Sequence, residues 1–383
     1  MKNPATNRTL TPEEIEAFGA RMDAIREAAR KALGERDAEY IAGILRLQRR
    51  TELAGRALLF AGVLPPAWLV GTALLGFSKI LENMEIGHNV MHGQYDFLGD
   101  PALRGREYEW DNVCPGPQWR HSHNVIHHTY TNVVGRDRDV GYGLLRVTGE
   151  QPWHPVFIPQ LVYAFALMLV FEWGVALHDL EFEKVRSGEK SLEQVFTELK
   201  PILKKAGKQI LKDYVLFPAL AGPFFVPVLL GNATANLMRN VWAFLVIFCG
   251  HFTADVEMYE ESVLEGETRG AWYLRQLRGS GNIEGGDFLH LLSGNLSHQI
   301  EHHLFPDIPA HRYAEMAVEV KAVAAEYGQH YNTGSLFGQL REVGKRLWVH
   351  SFPGSNRKAE PPSASTPKSK EPVRPSLGAE LAA

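Results

Sequence analysis

The chain has 383 residues, 40 Lys+Arg against 44 Asp+Glu for a formal charge of −4, 16 histidines and 2 cysteines. No whole-chain basic field exists to hold nucleic acid, and the 45% hydrophobic content excludes a disordered or collagen-like chain. Two cysteines, Cys114 and Cys249, cannot build the disulfide framework of a small secreted protein.

Residues 1–10 are polar and lack the apolar core of a cleavable signal peptide. Thr11-Pro12-Glu13-Glu14 predicts an N-cap, a proline at the first helical position and acids in the first turn. From there to about Arg50, apolar residues recur every three or four positions, predicting amphipathic helix on or near a membrane surface. Ala54 to about Ile80 is apolar but interrupted by Pro65-Pro66. It reads either as one span, Arg56 to Phe77, or as a hairpin of two helices, Arg49 to Leu64 and Pro66 to about Glu85. Val156–Leu177 is a second apolar stretch. Tyr214–Cys249 is a third, broken by the small polar run Gly231-Asn232-Ala233-Thr234-Ala235-Asn236. A bilayer core takes about 20 apolar residues per helix, so this stretch predicts two helices and a tight turn. Trp272 to His350 is polar and helical in pattern, and Pro, Ser, Lys and Glu dominate beyond it. Three units are expected: an amphipathic cytoplasmic arm (1–50), a membrane unit (51–350) and a disordered tail (351–383).

Histidine is concentrated in clusters: His88 and His92; His121, His123, His127 and His128; His251; and His298, His302 and His303. Residues four apart share a helix face, so His88/His92, His123/His127 and His298/His302 can each present two imidazoles to one centre. The adjacent pairs His127-His128 and His302-His303 are splayed by about 100° on an α-helix, which suits a site with two metal ions. Imidazole favours Zn, Cu, Fe or Ni over Mg or Ca. His121 is expected to face elsewhere. His154, His178, His290, His311, His330 and His350 are expected at the surface or behind the ligands.

Three motifs carry a resemblance: Gly87-His88-Asn89-Val90-Met91-His92-Gly93, Trp119-Arg120-His121-Ser122-His123-Asn124-Val125-Ile126-His127-His128, and Asn295-Leu296-Ser297-His298-Gln299-Ile300-Glu301-His302-His303. With them, roughly Leu81 to Pro309 resembles the membrane fatty acid desaturases, non-haem di-iron enzymes with three histidine boxes, and among these the bacterial acyl-CoA desaturases. The resemblance implies His88, His92, His123, His127, His128, His302 and His303 as metal ligands, with His251 matching an extra histidine after the fourth span. One of His298 and Gln299, not both, is expected to complete the set, and register favours Gln299. Glu85, Asn132, Asp137, Asp139 and Glu301 are candidates to orient the imidazoles.

All ligands must meet on one side of the membrane, and three crossings between the second box and His251 would separate them. Val156–Leu177, flanked by Pro155, Pro159 and charged Asp179 to Lys190, is therefore expected to be interfacial or re-entrant. The same requirement makes Pro65-Pro66 a turn. Arg21, Arg26, Arg30, Arg36, Arg46, Arg49 and Arg50 on the arm, with Lys200, Lys204, Lys205, Lys208 and Lys212, place the site on the cytoplasmic side of the cell membrane. The expected fold is all-α: four transmembrane helices under a cytoplasmic helical cap that holds a His-rich di-metal site. The resemblance implies insertion of a cis double bond, Δ9 by preference, into a long-chain saturated acyl-CoA by O2 at two irons. Electrons would come from a separate ferredoxin-like protein or flavin reductase. An acyl-lipid substrate and a hydroxylase of the same metal class are the alternatives. A His-rich metal transporter fits poorly, because the boxes lie beyond the span ends.

Overall fold

The computed structural model describes residues 7–354. The tail expected to be disordered from 351 therefore lies, from residue 355 onward, outside the described residues. The structure is mostly helical, with one short parallel pair of strands.

Helix α1 (Pro12–Lys31) starts as the sequence predicts: the Thr11 hydroxyl accepts from Glu14 N, and the Glu14 carboxylate accepts from Thr11 N at 2.9 Å. Its apolar face is not offered to lipid. Phe18, Met22 and Ile25 are buried with Tyr273, Leu277 and Tyr313 in the core of the cap. The membrane-surface reading of α1 is thus corrected. An amphipathic stripe fits a protein groove as well as a bilayer, and Arg26–Asp307 at 2.6 Å and Arg36–Glu315 at 2.6 Å fix its polar edge to the cap.

Helix α2 (Glu35–Phe60) runs without a break through Arg50, the expected edge of the arm, and turns at 61–64 into α3 (Pro65–Ile80), with Pro65 at the first helical position. The two pack as a hairpin. After a bent pair, α4 (Gln160–Leu169) and α5 (Phe171–Leu177), helix α6 (Leu192–Ile210) continues through a wider turn to Leu220. The chain reverses at 221–224, where Gly222 (φ 56°) precedes Pro223, and α7 (Phe225–His251) returns.

The turn expected at Gly231–Asn236 does not exist; those residues lie inside α7. They are small and polar because they face other helices. A Cβ at Gly231 would stand 2.4 Å from Leu59 Cδ2. Asn232 donates to Asp213 O at 2.7 Å, and Asn236 to Asp213 Oδ2 at 3.2 Å. Asp213 also anchors Lys79 at 2.7 Å and Arg56 at 3.5 Å, so a buried ionic cluster ties α2, α3 and α6 to α7.

Among the described residues, one helix is long and apolar enough to cross a membrane alone, Gly222–His251; the pair Gln160–Leu169 and Phe171–Ser187, bent by 101°, would be a second if counted together. The cap is completed by α8 (Arg269–Arg278), α9 (Gln299–Leu304), α10 (Tyr313–Glu326) and α11 (Leu336–His350). Strand β1 (Asn282–Glu284) pairs in parallel with β2 (Thr333–Ser335). This clasp reaches the third box: Gln339 donates to Asn282 O at 3.0 Å, while Asn282 accepts from Ile300 N at 2.8 Å and donates to Glu301 at 2.9 Å. The segment before α1 docks behind it, where Gln329 donates to Arg8 O and His330 N to Asn7.

Candidate metal centre

The first two boxes lie in wide helical turns. Leu81–His88 and Arg120–His127 are π-helical, a winding that recurs at functional sites because it re-aims successive side chains. The spacing argument assumed α-helix for the second box. The wider winding still turns His123, His127 and His128 toward one interior. His251 is the last residue of α7, and the third box forms α9.

The rings gather into overlapping groups: His88, His92, His123 and His302; His127, His251 and His303; His128, His302 and His303; and His123, His127 and Asp139. In each group the potential ligand atoms lie within 4.8 Å of one another. Nε2 of His88 is 3.3 Å from Nε2 of His123, and Nε2 of His303 is 3.1 Å from that of His251. With metal–nitrogen bonds of about 2.0–2.1 Å, neighbouring ligands of one ion lie roughly 3.0–3.4 Å apart, so these separations are those of ligand pairs. Gln299 brings its amide to 2.9 Å from His251 Nε2.

The chemistry of the donor set can be tested on what the protein leaves unpaired. Both ring nitrogens of His92 and His128, Nε2 of His127 and His302, and Oε1 of Gln299 are buried without a hydrogen-bond partner. Buried polar atoms are rarely left so. Here one nitrogen of each ring can turn to a shared interior, where a cation would satisfy it. Burial, with neighbouring rings adding to it, pushes His88 down to about 3 and His92, His128, His302 and His303 well below the usual histidine range. They are neutral at pH 7, the form that binds metal.

Other residues set the ring orientations. His127 Nδ1 donates to Asp137 at 3.0 Å, which frees Nε2 for the centre. Burial alone would lower His127, but Asp137 and Asp139 carry it up to about 9. Asp137 is itself held by the backbone N of Asn132 at 2.8 Å, and Asn132 is pinned by its side chain to Gly279 O at 2.7 Å. Asp139 lies 3.7 Å from Nδ1 of His123 and of His127. Glu301 and Glu85 touch no ring nitrogen. Glu301 accepts from Asn282 and Tyr331, burial raising it to about 7, and Glu85 accepts from Tyr40 at 2.7 Å and Asn295 at 3.1 Å. They brace the backbone of the third and first boxes.

His298 stands apart. Leu296–His298 is a separate tight turn and α9 begins only at Gln299, so the four-residue relation to His302 is not carried by one helix. The His298 ring packs on His290, centroids 4.6 Å apart. His178, expected at the surface or behind the ligands, reaches Asp139 Oδ1 at 3.0 Å, and Trp119, the first residue of the second motif, stacks on His123 with ring centroids 4.4 Å apart. Gln276, whose Oε1 accepts from His303 Nδ1 at 3.1 Å, gave no sequence signal; it is joined to the centre only by tertiary packing.

Residues 65–335 match the family model described as fatty acid desaturase. The chain is 45% identical over 348 residues, 90% of this chain and 82% of the relative, to the NADPH-dependent stearoyl-CoA 9-desaturase of Mycobacterium tuberculosis. It is 26% identical over 287 residues (73% and 79%) to the sn-1 linoleoyl-lipid 6-desaturase of Synechocystis sp., and 27% identical over 295 residues (72% and 63%) to the acyl-lipid (7-3)-desaturase of Rebecca salina. The buried histidines and these matches coincide along the sequence, and the chain belongs to the fatty acid desaturase family.

Proposed function

We propose that this desaturase inserts a cis double bond at Δ9 of a long-chain saturated acyl-CoA, with His88, His92, His123, His127, His128, His251, His302, His303 and Gln299 holding two irons. The observation that carries the reading is the convergence of buried, unpartnered imidazole nitrogens and the Gln299 amide oxygen on one interior. A bound iron pair supplies the activation of O2 that removal of hydrogen from an unactivated methylene demands and side chains cannot provide. The protein's part is to keep His88, His92, His128, His302 and His303 neutral, to orient the His127 and His303 rings through Asp137 and Gln276, and to exclude water from the cavity beside them. Two electrons come from the substrate and two from an external donor, so that O2 leaves as two waters. The NADPH-dependent name of the mycobacterial relative supports a reductase as donor. That relative's identity of 45%, against 26% for the lipid-acting one, favours acyl-CoA over acyl lipid. Fatty acid profiles of a host fed stearate test the reading: Δ9 monoenes are expected to rise on expression, and an unchanged profile refutes it.

The membrane arrangement we favour has four crossings, with the α2/α3 and α6/α7 hairpins pointing their tips (61–64 and 221–224) outward and the histidines and cap in the cytoplasm. The 101° bend between Gln160–Leu169 and Phe171–Ser187 supports an interfacial or re-entrant placement of α4 and α5. The arm, through α1 and the first half of α2, belongs to the cap. Reporters inserted after Gly62 and after Gly222 should both read external; a cytoplasmic signal from either rules this arrangement out.

A further inference from the structure

A cavity opens beside the histidines and extends along α7, which carries His251 at one end and Arg239 twelve residues earlier. Its middle is apolar, with Met84, Phe171, Ala243 and Ile247 on its walls. Its far part is polar: Arg239, Glu172, Asn240, Asn83 and Asn112. Arg239 is 2% exposed and paired with Glu172, donates to Asp111 O at 3.2 Å and to Asn240 Oδ1 at 3.3 Å, and leaves its Nε–H buried with no acceptor. Asn83 accepts from Asn112 at 2.9 Å but offers its own amide hydrogens only to the Met84 thioether at 3.4 Å, a weak acceptor. The far part of the cavity thus holds two buried donors in want of an acceptor.

We infer that Arg239 and Asn83 receive the carbonyl oxygen of the substrate's acyl thioester, and so set which methylenes lie at the histidines. The inference rests on the desaturase reading above. A saturated acyl chain carries a hydrogen-bond acceptor at its carboxyl end and nowhere else. Were its methyl end packed here, the buried Arg239 Nε–H would stay without an acceptor and the Glu172–Arg239 pair would face hydrocarbon, an arrangement that polar burial disfavours. Ionisable groups among membrane helices persist where they meet a ligand or one another. With the carbonyl held at Arg239, the double-bond position becomes a count of carbons from that anchor to the metal centre.

The test compares binding of stearoyl-CoA with its thioether analogue, octadecyl-CoA, which lacks only the carbonyl oxygen. Full-length protein in detergent is used, as wild type, Arg239→Lys and Asn83→Ala. Lysine keeps a cation for Glu172 but removes the Nε–H. Wild type should prefer the thioester about tenfold, the worth of one charge-assisted hydrogen bond. Arg239→Lys should bring the preference to within about twofold, and Asn83→Ala should reduce it too and supplies the answer if the lysine variant does not fold. Monoenes made by either variant should be spread over positions beside Δ9. An undiminished thioester preference in both variants overturns the inference, as does a changed chain-length range with the double bond kept at Δ9, which would mark a methyl-end stop. Wild type that prefers the thioester yet yields no alkene would contradict the desaturase reading while leaving this site supported.

Discussion

His302→Ala is expected to cut the bound iron of the purified protein by half or more and to lower desaturation by at least about a hundredfold, beyond the loss typical of residues that merely orient a ligand. The ring is fully buried and belongs to two of the groups: it lies with His88, His92 and His123, and also with His128 and His303. Its Nε2 has no protein partner to lose, so the substitution removes a donor from the centre without breaking a hydrogen bond there. What remains is a cavity among neutral rings, and burying it costs far less than the ion binding that is forfeited. Metal analysis and product quantification on the same preparation check both parts. Iron equal to wild type together with activity above a tenth of it would mean that His302 is packing and not a ligand.

Gly294→Ala is expected to destabilise the fold by about 3–5 kcal/mol, read as a lower thermal midpoint in detergent. Gly294 has φ +67°, and a Cβ there would stand 2.2 Å from Met84 O and 2.4 Å from its carbonyl carbon. Both obstacles are backbone, so no side-chain rotation relieves them. The contact is the one at which the approach to the third box lies against the start of the first, where Asn89 also donates to Gly294 O at 3.3 Å. Iron retention should fall with stability, because the two boxes are spaced by this contact. Gly286→Ala, where nothing lies within 4 Å of the added methyl, should change the midpoint by no more than about 0.5 kcal/mol equivalent. Equal effects at the two glycines would refute the argument.

How far the fold could be read in advance depended on whether a signal has one physical meaning. Pro65-Pro66 alone allowed one span or a hairpin, and the need for the histidines to meet on one side decided for the hairpin; α3 does begin at Pro65, since a proline starts a helix well. Gly231–Asn236 was not, because small and polar residues mark both turns and close helix crossings. Only the presence of Asp213 and Leu59 opposite decides between them. The stripe on α1 was visible, but its partner was not, since lipid and the cap's own core ask for the same pattern. At the centre, the four-residue repeats signalled which histidines gather. The choice between His298 and Gln299 turned on where a helix of six residues starts, and Gln276 reaches the rings from a segment whose local sequence carries no clue to the centre.

The strand clasp has a consequence for biosynthesis. Asn282, which steadies the backbone at Ile300 and Glu301, is itself held by β2 and Gln339, and the amino-terminal Asn7 and Arg8 close on Gln329 and His330. A nascent polypeptide lacks that brace until the segment from Asn332 to Gln339 has left the ribosome. Truncation shortly before Asn332 is therefore expected to leave the histidines of the third box in the chain while removing the brace that positions them, read as less bound metal than in the full chain.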